Sequence, residues 1–367
     1  MAVTIDGTNG INDTVLGSST PAAANVTTLG ASGEVTATGF TGTLDGILGS
    51  GTPAAATVTT LAAAAATVTT LTASGDLSAN NFAGRNRIIN GAMVIDQRNA
   101  GASISVTPTA FTADRWAVQA ATGGAAQQIT STIAGFANSL KYTSSASNAF
   151  LQMGQQIEYL NCYDLQNVTV SISFWAKANN TNGGSTALVV RTRTIAAING
   201  AARFSSANVD TSVTITTSAV KYTVTRTLPA TFGALSLEFT LGAHVSGDGF
   251  EITGVQLEKS SAVTEFDHRS VGTELALCQR YYYKAVLLGW QYRFTTTVTS
   301  QSFSMSIAHP TTMRATPSVT YTLEKNDVAG QTFALAGTTT DGSSFLHTGS
   351  ASGEIWDLPA YTADAEL

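Results

Sequence analysis

The chain has 367 residues, of which 43 % are hydrophobic and only 11 % charged, and its formal net charge is −6. Ordinary domains carry about 25 % charged residues; here Thr, Ser, Ala, Gly and Asn fill the gap, a composition suited to β surfaces whose hydroxyls bond along strands without repelling one another. No clustered positive patch is present, which excludes nucleic acid as a partner, and no apolar run approaches ~20 residues, which excludes an inserted membrane helix.

Residues 1–14 form a lead with turn signals at Asp6-Gly7 and Asn9-Gly10. The start MAVTIDGTNG has neither a basic stretch nor an apolar core, so Sec export is not expected. Residues 15–83 are repetitive. LGSSTPAAANVTTL from Leu16 returns as LGSGTPAAATVTTL from Leu48, a period of 32 residues. AAATVTTL from Ala54 recurs ten positions on, and GEVTATGF ending at Phe40 returns as GDLSANNF ending at Phe82. The second unit is the first with a ten-residue insertion, which a quasi-linear stack absorbs more readily than a globule. Such a segment has too little side-chain volume to offset the entropy of ordering one strand alone. Its Thr and Val favour extended chain, and its small residues allow close backbone approach. It is expected to be a fibre shaft in which sister copies wind together.

Residues 84–271 change character: aromatics appear and apolar residues alternate with polar ones. VTVSISFWAK from Val168, ALVVRTRT from Ala187, AVKYTVTRTL from Ala219, GALSLEFTL from Gly233 and FEITGVQLE from Phe250 all read as strands. Many short strands separated by Gly-containing turns predict an antiparallel β-sandwich. Trp175 is expected in its core, and Asn90-Gly91 in a tight hairpin turn. A helical connector is expected over 272–285, opened by Thr273 and Glu274, with Leu275, Cys278 and Tyr282 on one face. Residues 286–367 return to strands and predict a β tip domain. The fold class is therefore mainly β: shaft, sandwich, short helix and tip. Cys162 and Cys278, too few for a disulfide framework, are expected to be buried free thiols.

Candidate chemistry is sparse. Asp114-Arg115-Trp116 reads as a buried Trp flanked by a structural ion pair rather than a catalytic acid, and Glu258 is expected to pair with an arginine such as Arg280. His244, His268, His309 and His347 have no metal-ligand spacing, no acidic loop is dense enough for calcium, and no cofactor is expected. The acids are dispersed, among them Asp45, Asp248, Asp341, Glu251 and Glu258, and there is neither GxSxG nor HExxH. A hydrolase, which would need two carboxylates converging across a cleft, is the less favoured reading.

Several motifs resemble tail-fibre proteins of tailed bacteriophages, especially those of cyanobacterial and related marine phages. They are NRIINGAMVIDQR from Asn86, FTADRW from Phe111, VQLEKSSAVTEFDHR from Val255, ELALCQRYYYK from Glu274, TTMRATPSVT from Thr311 and the terminal DAEL. The opening TIDGTNGI and the TPAAATVTTL repeats resemble the shafts of such fibres, so the likeness spans nearly the whole chain. Glu265 departs from the pattern, since relatives carry a smaller residue or Pro before the Phe. The resemblance implies a jelly-roll sandwich similar to carbohydrate-binding modules and a homotrimer attached to the tail or baseplate by its N-terminus. It also implies a virion location after assembly in the host cytoplasm. The expected partner is host surface polysaccharide, bound without catalysis; a purely structural fibre or decoration protein is the alternative, and a tailspike-type depolymerase comes third.

Sugars present apolar C–H faces ringed by hydroxyls, which suit an aromatic platform beside polar side chains. The tip offers Trp290, Tyr292, Trp356 and Tyr361 as rings, with Asn326, Asp327 and Asp341 as polar neighbours. A core role for each aromatic is the competing reading. Three linked copies of a weak site would gain avidity without new contacts.

Overall fold

A computed structural model describes residues 84–106, 109–121, 123–147, 150–179, 186–200, 203–204, 209–286, 291–294, 301–324, 332–349 and 354–366. The predicted attachment segment and shaft, residues 1–83, lie outside them.

The described chain is mainly β. Twelve strands build two sheets: β1 (Ile104–Ser105), β2 (Thr109–Phe111), β3 (Ala117–Ala120), β4 (Gly124–Thr130), β5 (Asn138–Ser144), β6 (Leu151–Ile157), β7 (Thr169–Asn179), β8 (Thr186–Ile195), β9 (Val209–Ile215), β10 (Val220–Thr227), β11 (Ala234–Leu241) and β12 (Gly249–Glu258). One sheet runs β1-β4-β5-β12-β7-β10 and the other β2-β3-β6-β11-β8-β9, with antiparallel pairing throughout. Period-two alternation aims Val170, Ile172, Phe174 and Ala176 of β7 at Leu235, Leu237, Phe239 and Leu241 of β11, forming one buried core. Phe174 and Phe239 meet edge to face at 4.7 Å.

The same alternation corrects the expectation for Trp175. Its neighbour Phe174 faces inward, so Trp175 faces outward with Ser173 and Lys177, half-buried, and stands opposite Lys221 of β10 and Thr253 of β12.

On β12 the inward residues change phase, from Phe250 and Ile252 to Val255 and Leu257. The register slips by one residue between Thr253 and Gln256, where Gly254 adopts a φ of +60°. A side chain there would need positive φ, and its Cβ would lie 2.4 Å from the Phe136 ring. Only glycine lets this bulge keep both halves of the strand on the core.

The lead-in from Gly84 carries no strand. It is held by two buried asparagines acting as substitute backbone. Asn86 donates to the Val255 carbonyl and accepts from the amides of Ile88 and Leu257. Asn90 donates to the carbonyls of Ile95 and Asp114, accepts from the Ile95 amide, and receives Trp116 Nε1–H on its own carbonyl. Asn90-Gly91 does turn the chain, with Met93 N–H bonding the Asn90 carbonyl at 3.0 Å, but no paired strands flank it, so it is not a hairpin.

After the sandwich comes α1 (Val271–Gln279), capped by Ser270, whose Oγ accepts from Thr273 N–H at 3.4 Å. The helix is shorter than predicted, because Tyr281, Tyr282 and Tyr283 are better placed in extended chain. Tyr282 opens β13 (Tyr282–Val286) opposite Asp364, and only Leu275 and Cys278 of the expected face are helical. The tip adds β14 (Gln291–Phe294), β15 (Gln301–Ala308), β16 (Ser318–Glu324), β17 (Thr332–Thr338), β18 (Gly342–Gly349) and β19 (Glu354–Asp364). β19 pairs with β13, β14 and β16, while β15-β18-β17 form a second small sheet. Their core holds Ile307, Met313, Phe345, Tyr361 and Ala363. Both cysteines are buried and free, and burial pushes the Cys162 thiol up to about 12 and that of Cys278 upward as well.

Candidate functional site

The predicted tip residues do not all come together. Trp290 and Asn326 lie outside the described residues. Tyr292 and Trp356 occupy directly opposed register positions on β14 and β19. Asp341 is exposed at the turn before β18, its carboxylate accepting the hydroxyls of Thr312 (2.7 Å) and Thr340 (3.2 Å). Tyr361 is fully buried: its hydroxyl lies 2.7 Å from both His309 Nε2 and Ser343 Oγ, and burial raises its pKa. A stacking platform needs an open ring face, so Tyr361 belongs to the tip core.

The motifs that singled out this sequence meet instead at the joint between sandwich and tip. Arg115, 1 % exposed, bonds the Glu366 carboxylate and the Gln156 carbonyl, with its guanidinium 3.5 Å above the Tyr281 ring. Burial depresses the Arg115 pKa. Arg98 pairs with Asp364 at 2.8 Å and lies over the Tyr282 ring. Arg314 donates to the carbonyls of Ala365 and Glu366. Arg280 pairs with Glu158 at 3.0 Å, not with Glu258, whose carboxylate accepts from Thr264 N–H and its hydroxyl. Asp114 is held by Gln97, and burial raises its pKa. The expected buried Trp116 is present, but the ion pair beside it reaches across the chain to the C-terminal segment. These groups form a structural clasp.

A cavity of about 530 Å³ opens where the lead-in passes the start of α1. That size falls within the ~300–1,000 Å³ of small-molecule pockets. Arg87, Ile89, Asn161, His268, Thr273 and Leu277 are among the residues that line it. Arg87 Nη2 pairs with Asp164 at 2.7 Å, while its Nη1 makes only a 3.4 Å contact with the Asn161 carbonyl. Arg269 is tied inward, to the carbonyls of Asn86 and Ile88 and to Glu274. Of the lining residues, exposed His268 meets Phe266 edge to face at 4.7 Å, and half-buried Phe136 packs against Phe266 at 5.2 Å and His268 at 5.6 Å. The cavity thus combines polar donors, two aliphatic side chains and one imidazole ring, a lining able to hold a sugar ring. Sequence reasoning passed it over because its residues come from three separated segments. The one local signal was EFDHR, in which Phe266, His268 and Arg269 share a single turn of chain.

Among the described residues no group of three His, Cys, Asp or Glu could hold a metal ion, and no helix is long and apolar enough to cross a membrane. The buried acids are engaged: Glu238 with Arg193 at 2.9 Å, Glu251 with Lys177 at 2.9 Å and Glu274 with Arg269 at 3.2 Å.

No known family's sequence pattern matches the chain, and no curated protein matches it significantly. Solved structures with a distant likeness include the module TmCBM61 in complex with β-1,4-galactotriose, at 12 % identity and a TM-score of 0.28, covering 40 % of this chain and 88 % of the module. The CBM22-1 xylan-binding domain of Paenibacillus barcinonensis Xyn10C is 15 % identical with a TM-score of 0.30, covering 45 % of this chain and 99 % of the domain. The enzymatically active domain of bacteriophage CBA120 tailspike protein 4 is 13 % identical with a TM-score of 0.29, covering 47 % of this chain but only 21 % of the tailspike chain. Likenesses of that degree carry no function across.

Proposed function

We propose that this chain is a phage tail-fibre adhesin, a non-enzymatic homotrimer that attaches to the tail or baseplate through its N-terminal segment and binds host surface glycan through its β domains. The observation that carries this reading is the ordered set of fibre-type motifs running from Asn86 to the terminal DAEL. In the fold, those from FTADRW, ELALCQRYYYK, TTMRATPSVT and DAEL interlock at one joint, so the resemblance follows a single architecture. The repeat-bearing leader supplies the trimeric shaft, because its low side-chain volume suits winding with sister copies better than folding alone. Absence of catalysis is supported by the buried carboxylates, which bond arginine, lysine or amide partners rather than facing one another across a cleft. Of the tip positions, Trp290, Tyr292, Trp356, Asn326 and Asp341 remain candidate glycan contacts.

The test is adsorption inhibition with the purified full-length protein. Blocking phage attachment to host cells supports the adhesin, whereas no binding to cells supports a purely structural fibre. A monomeric mass in solution would refute the trimer, and new reducing ends released from host polysaccharide would refute the non-enzymatic reading.

A further inference from the structure

We infer that the cavity at the start of α1 is a glycan subsite, separate from the tip positions, that selects saccharides carrying an anionic group, a carboxylate or a sulfate ester. The inference rests on the glycan-binding reading above and adds a place and a chemical class.

The lining decides the class. Two arginines and a histidine face the cavity, and no carboxylate is among the residues around it. Asp164 and Glu274 stand behind Arg87 and Arg269 as their ion-pair partners, not in the wall. Arg269 has both terminal nitrogens engaged, Nη1 with the Ile88 carbonyl and Glu274 and Nη2 with the Asn86 carbonyl, so it fixes the wall. Arg87 is the contacting cation. Its side chain is 28 % exposed, its Nη1 contact is long, and its Nε has no hydrogen-bond partner among the described residues. An acceptor anion turned toward Nη1 would gain a charge-assisted bond, about twice as strong as a neutral one. A cationic amino sugar would gain no such bond from Arg87.

The remainder of the wall suits the saccharide that carries the anion. Ile89 and Leu277 offer aliphatic surface to a C–H face, Thr273 offers a hydroxyl, and the His268 ring, braced by Phe266, stands at the rim. The volume of about 530 Å³ admits a sugar with its charged substituent.

Calorimetric titration of the full-length protein with trigalacturonate, a sulfated chondroitin-type disaccharide and neutral galactotriose tests this. At least one charged probe is expected to bind about tenfold more tightly than the neutral one, and the pair of charged probes separates carboxylate from sulfate. Arg87→Gln should abolish the preference; Arg87→Lys, which keeps the charge, should retain most of it. His268→Ala should weaken every probe, and Asp210→Ala, which removes only the partner of Arg191 on the sandwich, none. Melting midpoints of the variants within about 3 °C of the parent establish intact folding. Equal affinity for charged and neutral probes, or a preference surviving Arg87→Gln, overturns the inference. So does host-cell binding by the parent with no affinity for either charged probe, an outcome that leaves the adhesin standing. If the protein binds neither probes nor host cells, the adhesin reading falls with it.

Discussion

Removing the Glu366 carboxylate should loosen the tip more than any other single change at the joint. The Glu366 side chain is 4 % exposed and faces that of Arg115, 1 % exposed. In Glu366→Ala, Arg115 keeps only the Gln156 carbonyl at 2.6 Å and the face of Tyr281. Breaking a buried pair from one side costs about 3–5 kcal/mol, because the surviving charge is left uncompensated. Those two contacts, and the Asp364 carboxylate that still holds Arg98, place the expectation near the lower end, about 3 kcal/mol. Urea unfolding of the full-length protein, followed by tryptophan fluorescence, reads the change in midpoint. The argument also fixes a sign for the double variant. Arg115→Met in the Glu366→Ala background removes the stranded charge and should recover stability, although Arg115→Met alone destabilises. A loss below about 1 kcal/mol for Glu366→Ala would place the pair in the class of exposed, weakly contributing bridges. Failure of the double variant to recover would also refute the reasoning.

Three further outcomes follow from the described geometry. Gly254→Ala should cost about 1–3 kcal/mol through its positive φ and the collision with Phe136, and a melting midpoint unchanged within error would show that the bulge tolerates a side chain. Phe174→Ala should cost about 3–5 kcal/mol as a core deletion, whereas Trp175→Ala on the outer face should cost much less; equal losses would return Trp175 to the core. The free thiols should resist iodoacetamide at pH 9 unless the protein is unfolded. With the Cys162 thiol pushed up to about 12 from an ordinary 9.0, the native state holds its proton. Stability is therefore undiminished below pH 9 and falls as pH rises from about 9 towards 12, and native-state labelling as fast as that of a free thiol would contradict the burial.

Five of the twelve sandwich strands were legible because they carry inward apolar residues at period two, broken only at the β12 bulge. VTVSISFWAK, GALSLEFTL and the others correspond to β7, β11 and their neighbours almost residue for residue. Trp175 shows the limit of that rule when size is allowed to outrank phase: in a strand, adjacent aromatics must face opposite sides. The connector was misjudged for a related reason. Helical spacing joins Cys278 to Tyr282, but three consecutive tyrosines favour extended chain, and β19, more than seventy residues later, supplies the partner that pulls Tyr282 into a sheet. The Glu258 and Arg280 partners were illegible because several acids compete for several arginines and only the tertiary fold ranks them. The cavity was illegible too, since Arg87, Asn161 and His268 are brought together by a crossing of loops.

The scarcity of charge gives these placements a common logic. With so few ionic side chains, most described arginines serve internal geometry: Arg115, Arg98 and Arg280 at the clasp, Arg193 against Glu238, and Arg226 bonding Thr192 and the carbonyls of Val190 and Val209. Such pairs, costly to desolvate, return little net stability but fix relative orientation. α1 connects two of these tasks, because its first turn borders the cavity while the arginine following its last turn locks to Glu158. A saccharide seated at the cavity contacts native chain only, so it should raise the unfolding midpoint by mass action. The rise should persist in Glu366→Ala if clasp and cavity are independent and shrink if α1 transmits strain between them. That comparison of parent and variant melting curves, each with and without whichever charged probe binds more tightly, decides whether the tip is merely fastened to the sandwich or coupled to what the sandwich binds.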